Sequence, residues 1–551
     1  MTDKSTYSVT FALIFIVFCC VFCAFINALK AKKELAIMQR SGYKLSGYFS
    51  WLFKKGKRRI LKRIYLLSFA QILVVLCSAL STAKLNFSPF LTGGIYIALC
   101  ASALFFGCRE KSKTPFVYTS RGKRLFAAFT VLLTAFSLAL GTLCLPFKGL
   151  KSINYLSLSF VFLPIIYAIT PFALVLAALL LSPFEKANNK RYIEKAKRTL
   201  LARPDLIRIA ITGSYGKTTV KEMLATILSE KFCVLSTPAS FNTPLGIAKT
   251  LEKLSDKTQI FIAEAGARRK GDIAELCKII DPDIAVITGI ASQHIETFGS
   301  LDDIKDAKAE ILESKNVRAA YFPADDEDAL SLKERVFKDV KTFVAGFDKT
   351  KAPYLTAENF VLSGQGSSFT LVFGNEKMPI FTSVLGKHNV GNILLACSVA
   401  LGLGLKLAEV AAGVARIKPV KHRLEIVRND DVLIIDDAYN SNEKGAKAAL
   451  EVLKSFDGRK ILVTPGIVET GEKTYEINFS LGFAAATVCD IAVLEQSDGI
   501  KAVYDGLIKG GKSDESVVFV KDSFAASEYL KGILKRGDKV LFENDLGDEY
   551  L

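Results

Sequence analysis

Acidic residues are nearly absent from the front of this sequence. Up to Arg203 there are 5 Asp and Glu against 29 Lys and Arg, whereas the remainder holds 50 against 43. The formal charge of +17 over 551 residues therefore belongs to one end of the chain. A basic surface along the whole molecule, of the kind that grips nucleic acid, is excluded. A disulfide or metal framework is lacking too. Of eleven cysteines, Cys19, Cys20, Cys23, Cys77, Cys100, Cys108 and Cys144 fall in or beside apolar runs, and the others are scattered. Cys20 and Cys23 form a CxxC, but inside an apolar stretch, where redox chemistry is not expected. No repeat or low-complexity tract is present. The first apolar run does not read as a cleavable leader, being too long and lacking a basic segment before it.

What the front does contain is hydrophobic runs. They lie at about Val9–Leu29, Ile64–Ser81, Pro89–Gly107, Leu125–Pro146 and Leu156–Leu181, each near the roughly 20 apolar residues that cross a hydrocarbon core. Five spans are expected, forming an all-α bundle over residues 1–183. Lys30 to Arg63 holds twelve basic residues and Arg109 to Arg124 holds six, while the intervening loops hold one or two. Since Lys and Arg stay on the cytoplasmic side, this places the N-terminus outside and everything after Leu181 in the cytoplasm of a multi-pass protein of the cytoplasmic membrane. The spans have essentially no ionisable residues at mid-membrane. That favours an anchor in contact with lipid over the rival reading, a nucleotide-driven transporter or flippase-like machine.

Behind the runs, a basic segment at 184–205 reads as a helical linker. From 206 onward, β-rich runs such as LIRIAIT, TQIFIAEAG and DIAVITGI alternate with helical patterns, which points to a parallel α/β sheet. A second alternating series begins near Glu425. The soluble part therefore divides near Pro419 into 206–419 and a Rossmann-like α/β domain at 420–551.

The strongest local signal is RIAITGSYGKTTVKEM, in which a strand enters a glycine-bounded turn and a helix follows. Gly213, Ser214 and Gly216 shape the turn, and Lys217, Thr218 and Thr219 open the helix. Backbone N–H groups at such a helix start attract phosphate oxygens, a lysine there neutralises the β/γ region, and the Thr218 hydroxyl suits Mg²⁺. Ile211 stands where the strict Walker pattern has a glycine, so the loop is a shorter variant.

TGSYGKTT resembles the short phosphate loop of the Mur ligase family, the enzymes that extend the peptide stem of bacterial peptidoglycan. The resemblance runs from about Arg208 to Phe456 through FNTPLG, EAGA, ASQHIETFGS, AKAEI, GKHNVGN, HRLE and DDAYNSN. HIETFGS and DDAYNSN are most similar to the member that adds D-alanyl-D-alanine. The resemblance implies ATP and two Mg²⁺ ions. It implies Glu264 as a carboxylate of the first metal site, His294 as a ligand of the second, and Lys308 as the lysine that becomes carbamylated to supply an oxygen ligand. Asn389 matches the adenine-contacting asparagine. Arg423 and Asp437 match a pair from the C-terminal domain that closes onto phosphate and ribose. Asn242, Tyr439, Asn440 and Asn442 fall on the substrate side. Each also has a plainer role: a solvated strand end for Glu264, a structural histidine, a solvated lysine, a helix cap for Asn389, an Asx-rich loop for Tyr439 to Asn442.

The chemistry implied is transfer of the γ-phosphoryl group of ATP to a carboxylate, giving an acyl phosphate that an amino acid or dipeptide attacks. Two departures bear on the substrate. Hydrophobic runs stand where the family has the domain that holds a uridine nucleotide, so a lipid-linked peptidoglycan precursor is expected beside the UDP-linked one. TPGIVETGEKTYE and the ending LFENDLGDEYL differ from the family's substrate-reading segments. A ligase of the same superfamily on another acceptor, of polyglutamate type, keeps the reaction and changes the amine.

Overall fold

In the computed structural model the described residues are 31–54, 116–142, 165–291, 298–429, 431–438, 442–468 and 470–544, with part of 14–29. They fall into two compact units, one ending at Asn188 and one running from Asn189 to Leu546.

The first unit holds helices Lys32–Arg40, Leu45–Lys54 and Ser120–Thr142 and the start of Ile165–Leu201. Among the described residues two stretches, Ser120–Leu140 and Ile169–Leu201, are long and apolar enough to cross a membrane. The runs expected at Ile64–Ser81 and Pro89–Gly107 lie outside the described residues. The described part of the first run includes a shorter apolar helix, Cys20–Leu29. The expected five spans thus reduce, among described residues, to two of spanning length. Small and aromatic side chains pack them together: Ala24, Ala28, Tyr48, Phe129, Leu133, Leu174 and Ala177 share one buried cluster. Glu185, buried, takes a two-pronged pair from Arg124 at 2.7 and 3.0 Å. A carboxylate out of water needs such a partner, because its desolvation is otherwise uncompensated.

Helix Ile165–Leu201 continues through the segment expected as a linker. Its last turns belong to the second unit, where Ala196 and Leu200 are buried with Leu206, Ala210 and Phe261.

The second unit contains three sheets. The central one is built from β1 (Ile207–Thr212), β2 (Val234–Ser236), β3 (Ile260–Glu264), β4 (Ile284–Ile287), β5 (Ala319–Pro323) and β6 (Lys341–Ala345). All are parallel, in the order β2-β3-β1-β4-β5-β6. Alternate residues of β1 feed opposite cores: Ile209 and Ile211 pack with helices Lys217–Leu228 and Lys387–Gly402, and Ala210 packs on the other face. Burial on both faces is why these strands read as continuous apolar runs. Each buried Ile, Leu or Val there contributes about 1.5–3 kcal/mol. Successive strands are laid down on either side of β1. In an open α/β sheet, that reversal leaves a crevice at the carboxyl ends of the strands where ligands bind.

A three-stranded antiparallel sheet follows, β7 (Thr356–Ser363), β8 (Gly366–Phe373) and β9 (Glu376–Thr382). The sequence reading did not anticipate it. Its inward side chains Ala357, Phe369, Leu371 and Ile380 join the core beneath helix Lys387–Gly402.

The third sheet comprises β10 (Glu425–Asn429), β11 (Leu433–Asp437), β12 (Lys460–Thr464), β13 (Ile491–Glu495), β14 (Val517–Val520) and β15 (Lys539–Glu543). Its order is β10-β11-β15-β12-β13-β14, parallel except for the edge strand β10. The last strand among the described residues, β15, thus sits between β11 and β12.

Candidate active site

The loop after β1 lies at the crevice. Gly216 has φ +79°, in the left-handed region that suits glycine. It turns the chain into helix Lys217–Leu228 without any side-chain cap, so the first N–H groups of the helix are left for an anion. Lys217 folds back over the loop, donating to the carbonyls of Gly213 at 2.7 Å and Ser214 at 3.0 Å. Burial lowers its pKa to about 8, with Arg423 pushing the same way and Glu264 opposing.

Behind the lysine is a set of hard oxygens. Thr218 Oγ1 donates to Glu264 Oε2 at 2.8 Å, and Asn242 Nδ2 donates to Glu264 Oε1 at 3.0 Å. Glu264, at the end of β3, is 1% exposed. Lys221 Nζ, with no exposure at all, lies 3.6 Å from Glu264 Oε2 and donates to the carbonyl of Ala239. Thr219 is buried beside them. Among the described residues no cluster of three His, Cys, Asp or Glu could hold a metal. One hydroxyl and one carboxylate nevertheless fit Mg²⁺, which is bound by one or two carboxylates together with substrate phosphates and water.

Lys308 is almost wholly buried, and its Nζ lies 5.8 Å from the centre of the Phe298 ring. Burial, and after it the charge of Lys217, lowers its pKa to about 7 against the opposing pull of Asp272 and Glu310. A lysine so placed is partly neutral near pH 7, and therefore nucleophilic.

The C-terminal sheet contributes from the far side. Arg423 is close enough to Lys217 to depress its pKa. Two non-glycine residues flanking Arg423, His422 (φ 59°) and Leu424 (φ 53°), are in the left-handed region. Both are held by the end of β11: His422 Nδ1 pairs with Asp436 Oδ2 at 2.7 Å, and the Leu424 N–H donates to Asp437 Oδ1 at 3.0 Å. Asp437 thus holds the backbone just after Arg423 and lies close enough to Arg423 to feel its charge. Burial raises its pKa to about 6, against the Leu424 hydrogen bond and Arg423. Asn389 donates to the Leu385 carbonyl at 2.9 Å and accepts from Asn392 at 3.3 Å. Asn442 caps helix Glu443–Lys454 by accepting from the Gly445 N–H at 3.0 Å. His294, Tyr439 and Asn440 lie outside the described residues.

Residues 211–400 match the Mur ligase middle domain, and residues 422–543 match the domain described as Mur ligase, glutamate ligase domain. The chain belongs to the Mur ligase family. The UDP-N-acetylmuramoyl-tripeptide–D-alanyl-D-alanine ligase of Haemophilus influenzae is 34% identical over 279 residues, 50% of this chain and 60% of that one. A MurF crystal structure from Acinetobacter baumannii aligns with TM-score 0.59 and 27% identity, covering 65% of this chain and 77% of that one. MurF from Thermotoga maritima in complex with ADP aligns with TM-score 0.58 and 26% identity over 65% and 80%. The chain spans about 60% of the length of the first curated relatives it matches.

As a Mur ligase the chain has features that its motifs did not disclose. Lys221 reads in the sequence as a solvated helical lysine; its position four residues after Lys217, on the same helix face, was the available signal. Tyr215, inside the phosphate loop, donates to Asp326. Lys444, in the first turn of helix Glu443–Lys454, reaches the same carboxylate at 3.0 Å. Beside it lies a small cleft of about 100 Å³ lined by Ala291, Leu301, Asp328, Asn442, Lys444 and Thr470 among others.

Proposed function

We propose that this Mur ligase family chain is a membrane-held, ATP-dependent ligase that joins a carboxylate of a peptidoglycan precursor to an amine such as D-alanyl-D-alanine. The observation that carries the reading is the meeting of Lys217, the Thr218–Glu264 pair and Lys308 at the crevice of the central sheet, with Arg423 brought to Lys217 from the C-terminal sheet. On this reading 206–419 binds ATP, 420–551 closes over it, and 1–183 holds both at the membrane. Support for the membrane part comes from the outward apolar side chains Val131, Phe172, Leu179 and Leu180 on the two long helices, an arrangement that suits lipid.

A carboxylate is a poor electrophile until phosphorylated. Lys217 and Arg423 bring positive charge to the phosphoryl group as it leaves ADP and joins the substrate carboxylate, and they keep it positioned. The amine then attacks the acyl phosphate carbon, the amide forms, and phosphate departs. Thr218 and Glu264 would hold a Mg²⁺ ion, which would supply Lewis acidity toward the phosphate oxygens. Lys308, through its neutral amine, adds to CO₂ and releases a proton; the carbamate so formed would offer an oxygen donor to a second ion, for which His294 would be the other protein ligand. Protonation blocks that uptake, so the carbamate forms above about pH 7 and is lost below it. Labelled bicarbonate is expected to give a carbamate ¹³C resonance at pH 8 that vanishes at pH 6 and is missing from Lys308→Ala. A resonance indifferent to the substitution would remove Lys308 from this role.

The test of the whole reading is phosphate release by the full chain in detergent, given ATP, D-alanyl-D-alanine and either a UDP-linked or a lipid-linked muramyl peptide. Release is expected to need both the amine and a muramyl peptide, with the lipid-linked form preferred. Release that ignores both substrates would sink the ligase reading. Preference for the UDP-linked peptide would leave the ligase and overturn the choice of carrier.

A further inference from the structure

The phosphate loop is tied to the C-terminal sheet by one carboxylate. Asp326 caps helix Glu327–Ser331, its Oδ1 accepting from the Ala329 N–H at 2.9 Å. Its Oδ2 accepts from the Tyr215 hydroxyl, from the Ile290 N–H at 3.3 Å and from Lys444 Nζ at 3.0 Å. Lys444 also donates to the Ile290 carbonyl at 2.9 Å and stands 3.8 Å from Asp328, which Lys305 holds at 2.8 Å.

Three features make this more than a surface ion pair. Asp326 is 5% exposed, and Lys444, itself half-exposed, is the cation paired with it among the described residues. Lys444 occupies the first turn of its helix, the end where the helix dipole disfavours a cation, so its own helix does not explain it. Tyr215, finally, is threaded rather than draped: a Cβ on Gly289 would fall inside its ring, and the Ser214 N–H donates to the Gly289 carbonyl at 2.7 Å. The loop apex therefore cannot shift without moving the hydroxyl that Asp326 holds.

We propose that Lys444 is a positioning residue that couples docking of the C-terminal domain to the shape of the phosphate loop, acting through Asp326 and the Tyr215 hydroxyl. When the domain swings away, Asp326 loses its cation, and the Tyr215 hydroxyl and the Ile290 N–H are left as the partners of Oδ2. When the domain docks, Lys444 fixes the carboxylate, which fixes Tyr215, which fixes the loop. Coupling of this kind is reciprocal, so nucleotide in the loop favours docking by the same factor that docking favours nucleotide. The inference rests on the reading that this loop holds ATP.

A double-substitution cycle on the full chain in detergent tests it, with a fluorescent ADP analogue and Mg²⁺ as the probe. Lys444→Met and Tyr215→Phe are each expected to weaken binding about tenfold, and the double variant no further than either alone. Lys444→Arg is expected to restore most of the affinity. A scattering measurement should show that the analogue compacts the wild type and compacts Lys444→Met less. Losses that simply add, or a Lys444→Met protein that binds and compacts as the wild type does, would overturn the coupling and leave the ligase reading intact. A wild type that binds no analogue, with Lys217→Ala no different, would remove the nucleotide reading and this coupling together.

Discussion

Replacing Lys217 by alanine is expected to cut ATP-dependent phosphate release on the order of a thousandfold, the scale seen when a charge aimed at a developing anion is deleted. The expectation follows from where the lysine is. Its Nζ sits over the carbonyls of Gly213 and Ser214, at the helix start that is left uncapped. Burial and the nearby Arg423 both disfavour its charge, Glu264 only partly offsets them, and Lys308 stands close enough to feel it, so a phosphate anion there adds the missing counter-charge. The same geometry gives a pH dependence. With the lysine lowered to about 8, its charge is present below that value and lost above it. Affinity for ATP should therefore fall as pH rises through about 8 in the wild type and stay flat across that range in Lys217→Ala. Titration of a fluorescent ATP analogue from pH 6.5 to 9.5 reads both; parallel pH profiles in the two proteins would assign the dependence to another group.

The second large effect is on stability. Lys221→Met keeps the shape of the side chain but leaves Glu264, 1% exposed, without the cation at 3.6 Å. Removing one partner of a buried pair costs about 3–5 kcal/mol, because the other charge stays desolvated. The Thr218 and Asn242 hydrogen bonds to Glu264 remain and soften the loss. Hydrogen exchange at β3 and at helix Lys217–Leu228 in the full chain should register that opening. Mg²⁺ with ADP should reverse part of it by bringing positive charge back to the carboxylate. Unchanged protection would mean that the Lys221–Glu264 pair does not hold this part of the fold.

The two predictions differ in how far they were visible beforehand. Lys217 and Thr218 announce themselves, because a strand, two glycines and a helix start in a row have a shape that backbone geometry dictates. Glu264 was legible as the polar end of an apolar strand. Lys221 was not, since a lysine on a helix looks the same whether its tip meets water or a carboxylate, and only the fold decides. Tyr215 and Lys444 escaped for a related reason. Their meaning lies in a shared partner, Asp326, more than a hundred residues from each, and no local pattern encodes that separation. The alternation of parallel strands and helices was readable from composition, but strand order was not. Nothing in DKVLFEN says that β15 slips between β11 and β12. The antiparallel sheet β7–β9 was a different kind of miss. SGQG and FGNE mark two turns between alternating runs, and the hairpin signal was there to be used.

The apolar runs were legible in the sequence, and among the described residues only part of them takes the form of helices long enough to cross a membrane. Ser120–Leu140 and Ile169–Leu201 follow two of the five expected runs. Both carry charged residues beside their apolar stretches, and there Arg124 meets Glu185. That pair is invisible in the sequence for the same reason as Lys221: it joins helices whose intervening residues carry no hint of the contact.

The ring of Tyr215 against Gly289 also constrains how this protein can change over generations. A side chain at position 289 has no room while the ring at 215 stays where it is, whereas the ring at 215 can be lost with no clash. The order of substitution is therefore biased: from this chain, a side chain at 289 requires the aromatic at 215 to be lost or swung aside, and either change gives up the tie to Asp326.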